Sequence, residues 1–185
     1  MVQFADLHLD LEYAPGSKTK CNRIMCCRKE TGYEKDPSKG AGPLGELAAC
    51  DIPEEVIYLM ADKINELNPD VLVWTGDIAP HDQWNYTEEY IEFYNNYLFD
   101  FMRGYLSEFD LATYVLEGNH DFGEVMNTQD FSKTDPIFPF LHNHWKRWLT
   151  EEAQVTFAEN GFYHQVLKTK TGKVIENVEV IMLNT

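Results

Sequence analysis

No run of about 18 consecutive apolar residues occurs in the sequence, so it holds no candidate transmembrane helix. Basic residues are scarce: 15 Lys and Arg stand against 31 Asp and Glu, a net charge of -16. A chain without a basic stripe repels polyanions at neutral pH, which argues against nucleic acid as a partner. Signal-peptide features are missing as well, but Met1 opens directly onto a strand-like segment, so that absence says little. There is no internal repeat, no low-complexity segment and no sign of a second domain. What is there, 185 residues with an apolar fraction of 44%, suits one globular domain that can bury a real core, which argues against disorder.

Cysteine is confined to one place. Cys21, Cys26, Cys27 and Cys50 all fall in a Gly, Pro and Lys-rich stretch from residue 11 to residue 50, where periodicity fails. An even, local cluster points to disulfides and an oxidising compartment. A zinc knot is the rival reading, against which stand the lack of any Cys-x-x-Cys pair and the adjacency of Cys26 and Cys27. A loop this long inside a compact domain is functional or stapled. The sequon Asn85-Tyr86-Thr87 is a candidate glycosylation site and agrees with that compartment.

The rest of the chain alternates. Val2 to Ala5 reads as a strand ending at Asp6. Asp51 is placed to cap a helix with Pro53, Glu54 and Glu55 in its first turn and Ile57, Met60, Ile64 and Leu67 at helical spacing. "VLVW", Val71 to Trp74, has the continuous apolar character of a buried parallel strand. A second helix opens at Thr87 and buries Ile91, Tyr94, Leu98 and Phe101; "LATYVL" is the third strand. Strand, helix, strand, helix, strand predicts an α/β fold with a parallel sheet. A helical stretch around "FLHNHWKRWL" and two strand-like runs about Thr171-Gly172 follow.

In open α/β sheets ligands bind beyond the carboxyl ends of the strands. Those ends are Asp6-Leu7-His8, Gly76-Asp77 and Gly118-Asn119-His120-Asp121. If the first segment is extended, Asp6 and His8 point to the same side and address one cation. Gly76 and Gly118 permit tight turns, Asp77 has two oxygens with which to bridge ions, and Asn119 offers a neutral oxygen. Each piece alone is weak, and a polar loop start is the ordinary explanation of an isolated Asp-x-His. Three of them in this order at three strand ends make a metal-dependent site the better reading.

The set "DLH", "GD" and "GNHD" resembles the calcineurin-like metallophosphoesterases. "DLHLD", "CCRKETG", "GAGPLGELAACDIP", "VWTGDIAPHD", "GNHDF" and "NGFY" extend the likeness to the acid sphingomyelinase branch over Asp6 to Thr185. That resemblance implies a metallophosphoesterase-type sandwich of mixed sheets flanked by helices, and hydrolysis of a phosphodiester with two zinc ions. Asp6 and His8 would bind the first ion, Asp77 would bridge, and Asn119 would bind the second. His120 would protonate the leaving alkoxide as general acid, with Asp121 as its orienting partner. His81 would be a second substrate-side histidine. Cys21 would pair with Cys26 and Cys27 with Cys50. Sphingomyelin at a membrane surface is the favoured substrate, giving ceramide and phosphocholine, in a secreted or lysosomal protein. A nucleotide-type phosphodiester and a catalytically inactive binding fragment are the alternatives.

Plainer explanations apply to some of these residues. Asp121 is as well suited to cap its own turn as to orient His120, and His81, in a Pro-containing loop, would by default be solvated. His142 and His144 form an H-x-H pair, but on a helix such residues face different ways, and Trp145 and Trp148 mark that segment as packing. His164 reads as structural. The Gly-His and Gly-His-x-His elements that complete the ligand set in the family do not occur. The expectation is therefore a single partial catalytic domain over residues 1–185, cut at the carboxyl end, with an incomplete second zinc site and no competent turnover when made alone.

Overall fold

A computed structural model of the chain describes residues 1–106, 112–121 and 137–183. The segment after the GNHD turn and the last residues of the final strand-like run therefore lie outside the described residues. Three strands, β1 (Val2–Phe4), β2 (Val71–Trp74) and β3 (Ala112–Val115), pair in parallel in the order β1-β2-β3. Val2 faces Leu72 across one ladder, and Val71 faces Ala112 across the other. The crossovers carry α1 (Glu54–Leu67) and α2 (Glu88–Tyr105). The α/β expectation holds: short apolar runs that cannot form helices of useful length pair side by side, and amphipathic helices cover them.

The helices start and stop for local reasons. Thr87 caps α2 by accepting from the Tyr90 amide, and Asn68 ends α1 in the left-handed conformation with its own amide bonded to Ile64 O. Ile57, Ala61 and Ile64 of α1 and Ile91, Tyr94, Leu98 and Met102 of α2 are buried. Leu67, expected inside, is the last residue of α1 and is 54% exposed. The helix cap expected at Asp51 is not there. α1 begins at Glu54 behind Pro53, with no side-chain cap, because the Asp51 carboxylate is engaged elsewhere, as described below.

α3 (Ile137–Trp145) and α4 (Glu151–Asn160) pack on one another and bring Trp145 against Trp74, with Phe157 packed on Trp145, joining them to the core of the parallel sheet. β4 (Tyr163–Lys168) and β5 (Val174–Met182) form an antiparallel hairpin around Gly172, whose φ of 77° the turn requires. Tyrosine hydroxyls join this hairpin to β3. Tyr163 Oη accepts from Val115 N at 3.0 Å and donates to Val115 O at 2.9 Å, taking the place of a further strand there.

Residues 11–50 form the irregular, stapled loop that was expected. Cys21 is bonded to Cys26 and Cys27 to Cys50. The loop is docked by a buried ionic contact: Arg28 donates from Nε to Asp10 Oδ2 at 2.8 Å and from an η nitrogen to Asp82 Oδ2 at 2.9 Å. Among the described residues no helix is long and apolar enough to cross a membrane.

Candidate metal centre

All three parallel strands run out toward the same edge, and the chain turns sharply after each. β1 stops at Phe4, and the next residues are not extended: Asp6 has φ 55° and His8 φ 39°. Asp6 and His8 are thus brought together not by an extended segment but by two left-handed residues, a conformation that costs about 1–3 kcal/mol each away from glycine and concentrates at functional sites. Backbone bonds hold them, with Asp6 N to Gly76 O at 3.1 Å, His8 N to Asp77 O at 2.9 Å and Leu9 N to Ile78 O at 2.7 Å. Asp77 is itself left-handed at φ 56°.

The second and third turns interlock. A Cβ on Gly76 would meet Gly118 N at 1.9 Å, and one on Gly118 would meet Asp77 Oδ1 at 2.3 Å, so only glycine fits at either position. Asp77 is buried and accepts from His120 N at 2.7 Å through Oδ1, while its Oδ2 lies 4.0 Å from His8 Nε2. The ligand-capable atoms of Asp6, His8 and Asp77 all lie within 4.8 Å of one another. Those of His8, His81 and His120 do so too. Carboxylate oxygen with imidazole nitrogen is a donor set that suits a zinc-class ion. Asn119 is exposed at the lip of the turn beside His120.

Each histidine of the cluster is held at Nδ1. His8 Nδ1 lies 3.0 Å from Ala79 O, an atom that can only accept, so this nitrogen carries the proton and Nε2 carries the lone pair. His81 is gripped by Asp51, which accepts from its backbone amide at 2.6 Å and lies 2.7 Å from its Nδ1. His120 Nδ1 lies 3.1 Å from Tyr86 Oη, which spends its one proton on Pro80 O at 2.7 Å, so the imidazole is the donor. Burial, reinforced by the neighbouring His8 and His81 rings, holds His120 below its usual pKa, with Asp77 pulling the other way.

Asp121 does not orient His120. Its Oδ2 accepts from Asp77 N at 2.8 Å and Gly118 N at 2.9 Å, and its Oδ1 from Ile78 N at 3.1 Å. The carboxylate ties two turns together through these three amides, while the His120 ring is met at Nδ1 by Tyr86. Burial pushes Asp121 up to about 6, against the three amides that pull it down. Asp51 and Tyr86 were missed as site residues. Asp51 directly follows the last cysteine, but nothing local to it distinguishes a histidine partner from a helix cap.

The remaining histidines stand apart. His144 packs against the Phe99 and Phe140 rings, and His164 is exposed beside Glu179. Among the described residues neither they nor His142 join a ligand cluster. Asn85 is exposed, and its amide nitrogen donates to Asp82 Oδ2 at 3.1 Å.

Residues 1–182 match the sequence pattern of calcineurin-like phosphoesterases. The chain is 28% identical to human sphingomyelin phosphodiesterase, over 85% of its own length and 26% of that protein. It is 29% identical to sphingomyelin phosphodiesterase 1 of Caenorhabditis elegans, over 100% of its length and 32% of the relative. To bovine cyclic GMP-AMP phosphodiesterase it is 30% identical, over 97% of its length and 37% of that protein. The chain thus spans about a quarter to a third of these relatives.

Proposed function

The chain belongs to the calcineurin-like phosphoesterase family, and from that membership we propose that it supplies part of the catalytic centre of a zinc-dependent phosphodiester hydrolase. The observation that carries this reading is the meeting of Asp6, His8 and Asp77 beyond three parallel strand ends, with His120 beside them. Asp6 and His8 would hold one ion, Asp77 would bridge to a second, and Asn119 would hold the second. Two such ions supply Lewis acidity and an activated water.

The chain's own residues do the rest. His120, its Nδ1 proton engaged by Tyr86, keeps Nε2 to receive a proton and pass it to the leaving alkoxide. His81, clamped by Asp51, stands with its ring centroid 4.8 Å from that of His120 and is placed to contact the same phosphodiester. Asp121 keeps the two glycine turns in register and so keeps Asp77 aimed.

Sphingomyelin is the substrate we favour, because several relatives carry the name sphingomyelin phosphodiesterase. The cyclic GMP-AMP phosphodiesterase relative supports a nucleotide-type phosphodiester as the second reading. The two disulfides support a secreted or lysosomal location, where a glycan on exposed Asn85 would also be added. Zinc per molecule and turnover of sphingomyelin, cyclic GMP-AMP and a chromogenic phosphodiester, measured on the protein containing this chain, test the proposal. Bound zinc without turnover of any of the three would favour a binding role instead.

A further inference from the structure

We propose that the Cys27–Cys50 disulfide and the two residues that follow its cysteines form a positioning device for His81. The disulfide joins chain positions 23 apart. Arg28 follows Cys27, and Asp51 follows Cys50. Their side chains end on consecutive residues of the loop that leaves β2. An η nitrogen of Arg28 donates to Asp82 Oδ2 at 2.9 Å, and Asp51 accepts from the His81 amide at 2.6 Å and lies 2.7 Å from His81 Nδ1. One covalent link thus carries two grips on the dipeptide His81-Asp82.

The grips are built from the inside. Cys27, Arg28 and Asp82 are all buried, and the Asp51 side chain is 9% exposed against 47% for His81. The imidazole that faces solvent is therefore held by partners withdrawn from it. Arg28 is fixed from behind as well, since its Nε donates to Asp10 Oδ2 at 2.8 Å. Asp82 takes a further bond from the Tyr90 hydroxyl at 2.9 Å. A planar guanidinium between two carboxylates keeps a set geometry, which a single ammonium does not. Backbone bonds hold the cystine too, with Ala14 N donating to Cys27 O and Cys26 N to Ala49 O, both at 2.7 Å.

A carboxylate at Nδ1 selects one tautomer and one ring orientation for an imidazole. Asp51 does this for His81 only while it stays opposite the loop after β2. Without the disulfide, Asp51 and the anchored Arg28 would be joined only through the irregular loop between them, and a cross-link removes that freedom. Resting on the phosphodiesterase reading above, Arg28 and Asp51 are positioning residues that act on turnover through the place of His81. The other disulfide, Cys21–Cys26, closes a short turn of the same loop and provides the control.

The test uses the whole chain, labelled with nitrogen-15 at histidine, and reads the Nδ1 proton of His81. Asp51→Ala should erase that signal, while the His8 Nδ1 proton, bonded to Ala79 O, persists. Asp51→Asn, whose amide oxygen still accepts, should keep it. Cys27→Ala with Cys50→Ala should weaken it, and Cys21→Ala with Cys26→Ala should not. Arg28→Lys, with both disulfides intact, should weaken it too, which keeps the coupling testable if the chain without the Cys27–Cys50 link does not fold. In the protein containing this chain, removing that link should lower turnover by up to about 100-fold with zinc per molecule unchanged. Adding His81→Ala should then cost less than about twofold more, because the two changes act through one side chain. An unmoved His81 signal in Arg28→Lys and in the link-free chain, equal losses on removing either disulfide, or losses that add to that of His81→Ala would overturn the device. The nitrogen signals need no substrate, so a lack of turnover in every form would count against the phosphodiesterase reading and not against this one.

Discussion

His8, His81 and His120 at the strand ends, and His142 and His144 on α3, are the same side chain in two settings. At the strand ends every ring is held at Nδ1 by a polar group, and ligand-capable atoms of the three lie within 4.8 Å of one another. On α3 the neighbours of His144 are the aromatic rings of Phe99 and Phe140, and burial lowers its pKa. Two histidines two residues apart on a helix diverge by geometry, whereas histidines 73 and 39 residues apart converge when sharp turns at adjacent strands bring them together. Spacing in sequence is therefore a poor guide to a ligand set, and the place where a strand stops is a better one.

Substitutions at the turns put that contrast under the most strain. Gly76→Ala demands a Cβ inside the Gly118 backbone at a φ of 75°, and should cost upwards of about 4 kcal/mol in urea unfolding and remove metal binding with it. A variant that folds normally and keeps its metal would show that the two turns do not depend on each other. His120→Ala acts on chemistry rather than on the frame. In the protein containing this chain it should lower turnover by about a hundredfold or more. Bound zinc should remain at the carboxylate set, and loss of all zinc together with activity would mean that His120 is needed to hold the metals.

Smaller effects sharpen the same comparison. Asp121→Asn leaves one of three amides facing an NH2 group, and should destabilise by about 1–3 kcal/mol without altering the tautomer of His120 in nitrogen NMR. A change of tautomer would restore the orienting role that the geometry gives to Tyr86. His142→Ala should be nearly silent, within about 0.5 kcal/mol in stability and with metal content unchanged. A drop in zinc per chain would bring α3 back into the site.

Much of this was readable along the chain. Continuous apolar runs, acidic first turns and the glycines at strand ends are properties of a few consecutive residues, and they foretold the parallel strands, α1 and α2, and the stations of Asp6, His8, Asp77 and His120. Local reading failed where a side chain had two plausible partners. Asp51 was suited to a helix start and Asp121 to the imidazole before it, and each went to a competitor that no neighbouring residue announces.

The sequence by itself determined the kinds of donor available and their order: carboxylate and imidazole after the first strand, carboxylate after the second, amide and imidazole after the third. It also carried the family pattern that runs through residues 1–182. Only the tertiary structure decided which atoms of those donors are free. Asp51 reaches His81 across 30 positions, Tyr86 reaches His120 across 34, and Arg28 reaches Asp82 across 54. A hydrogen bond is satisfied within about 3 Å whatever the chain distance, so the allocation of protons and lone pairs belongs to the packed molecule and not to any segment of it.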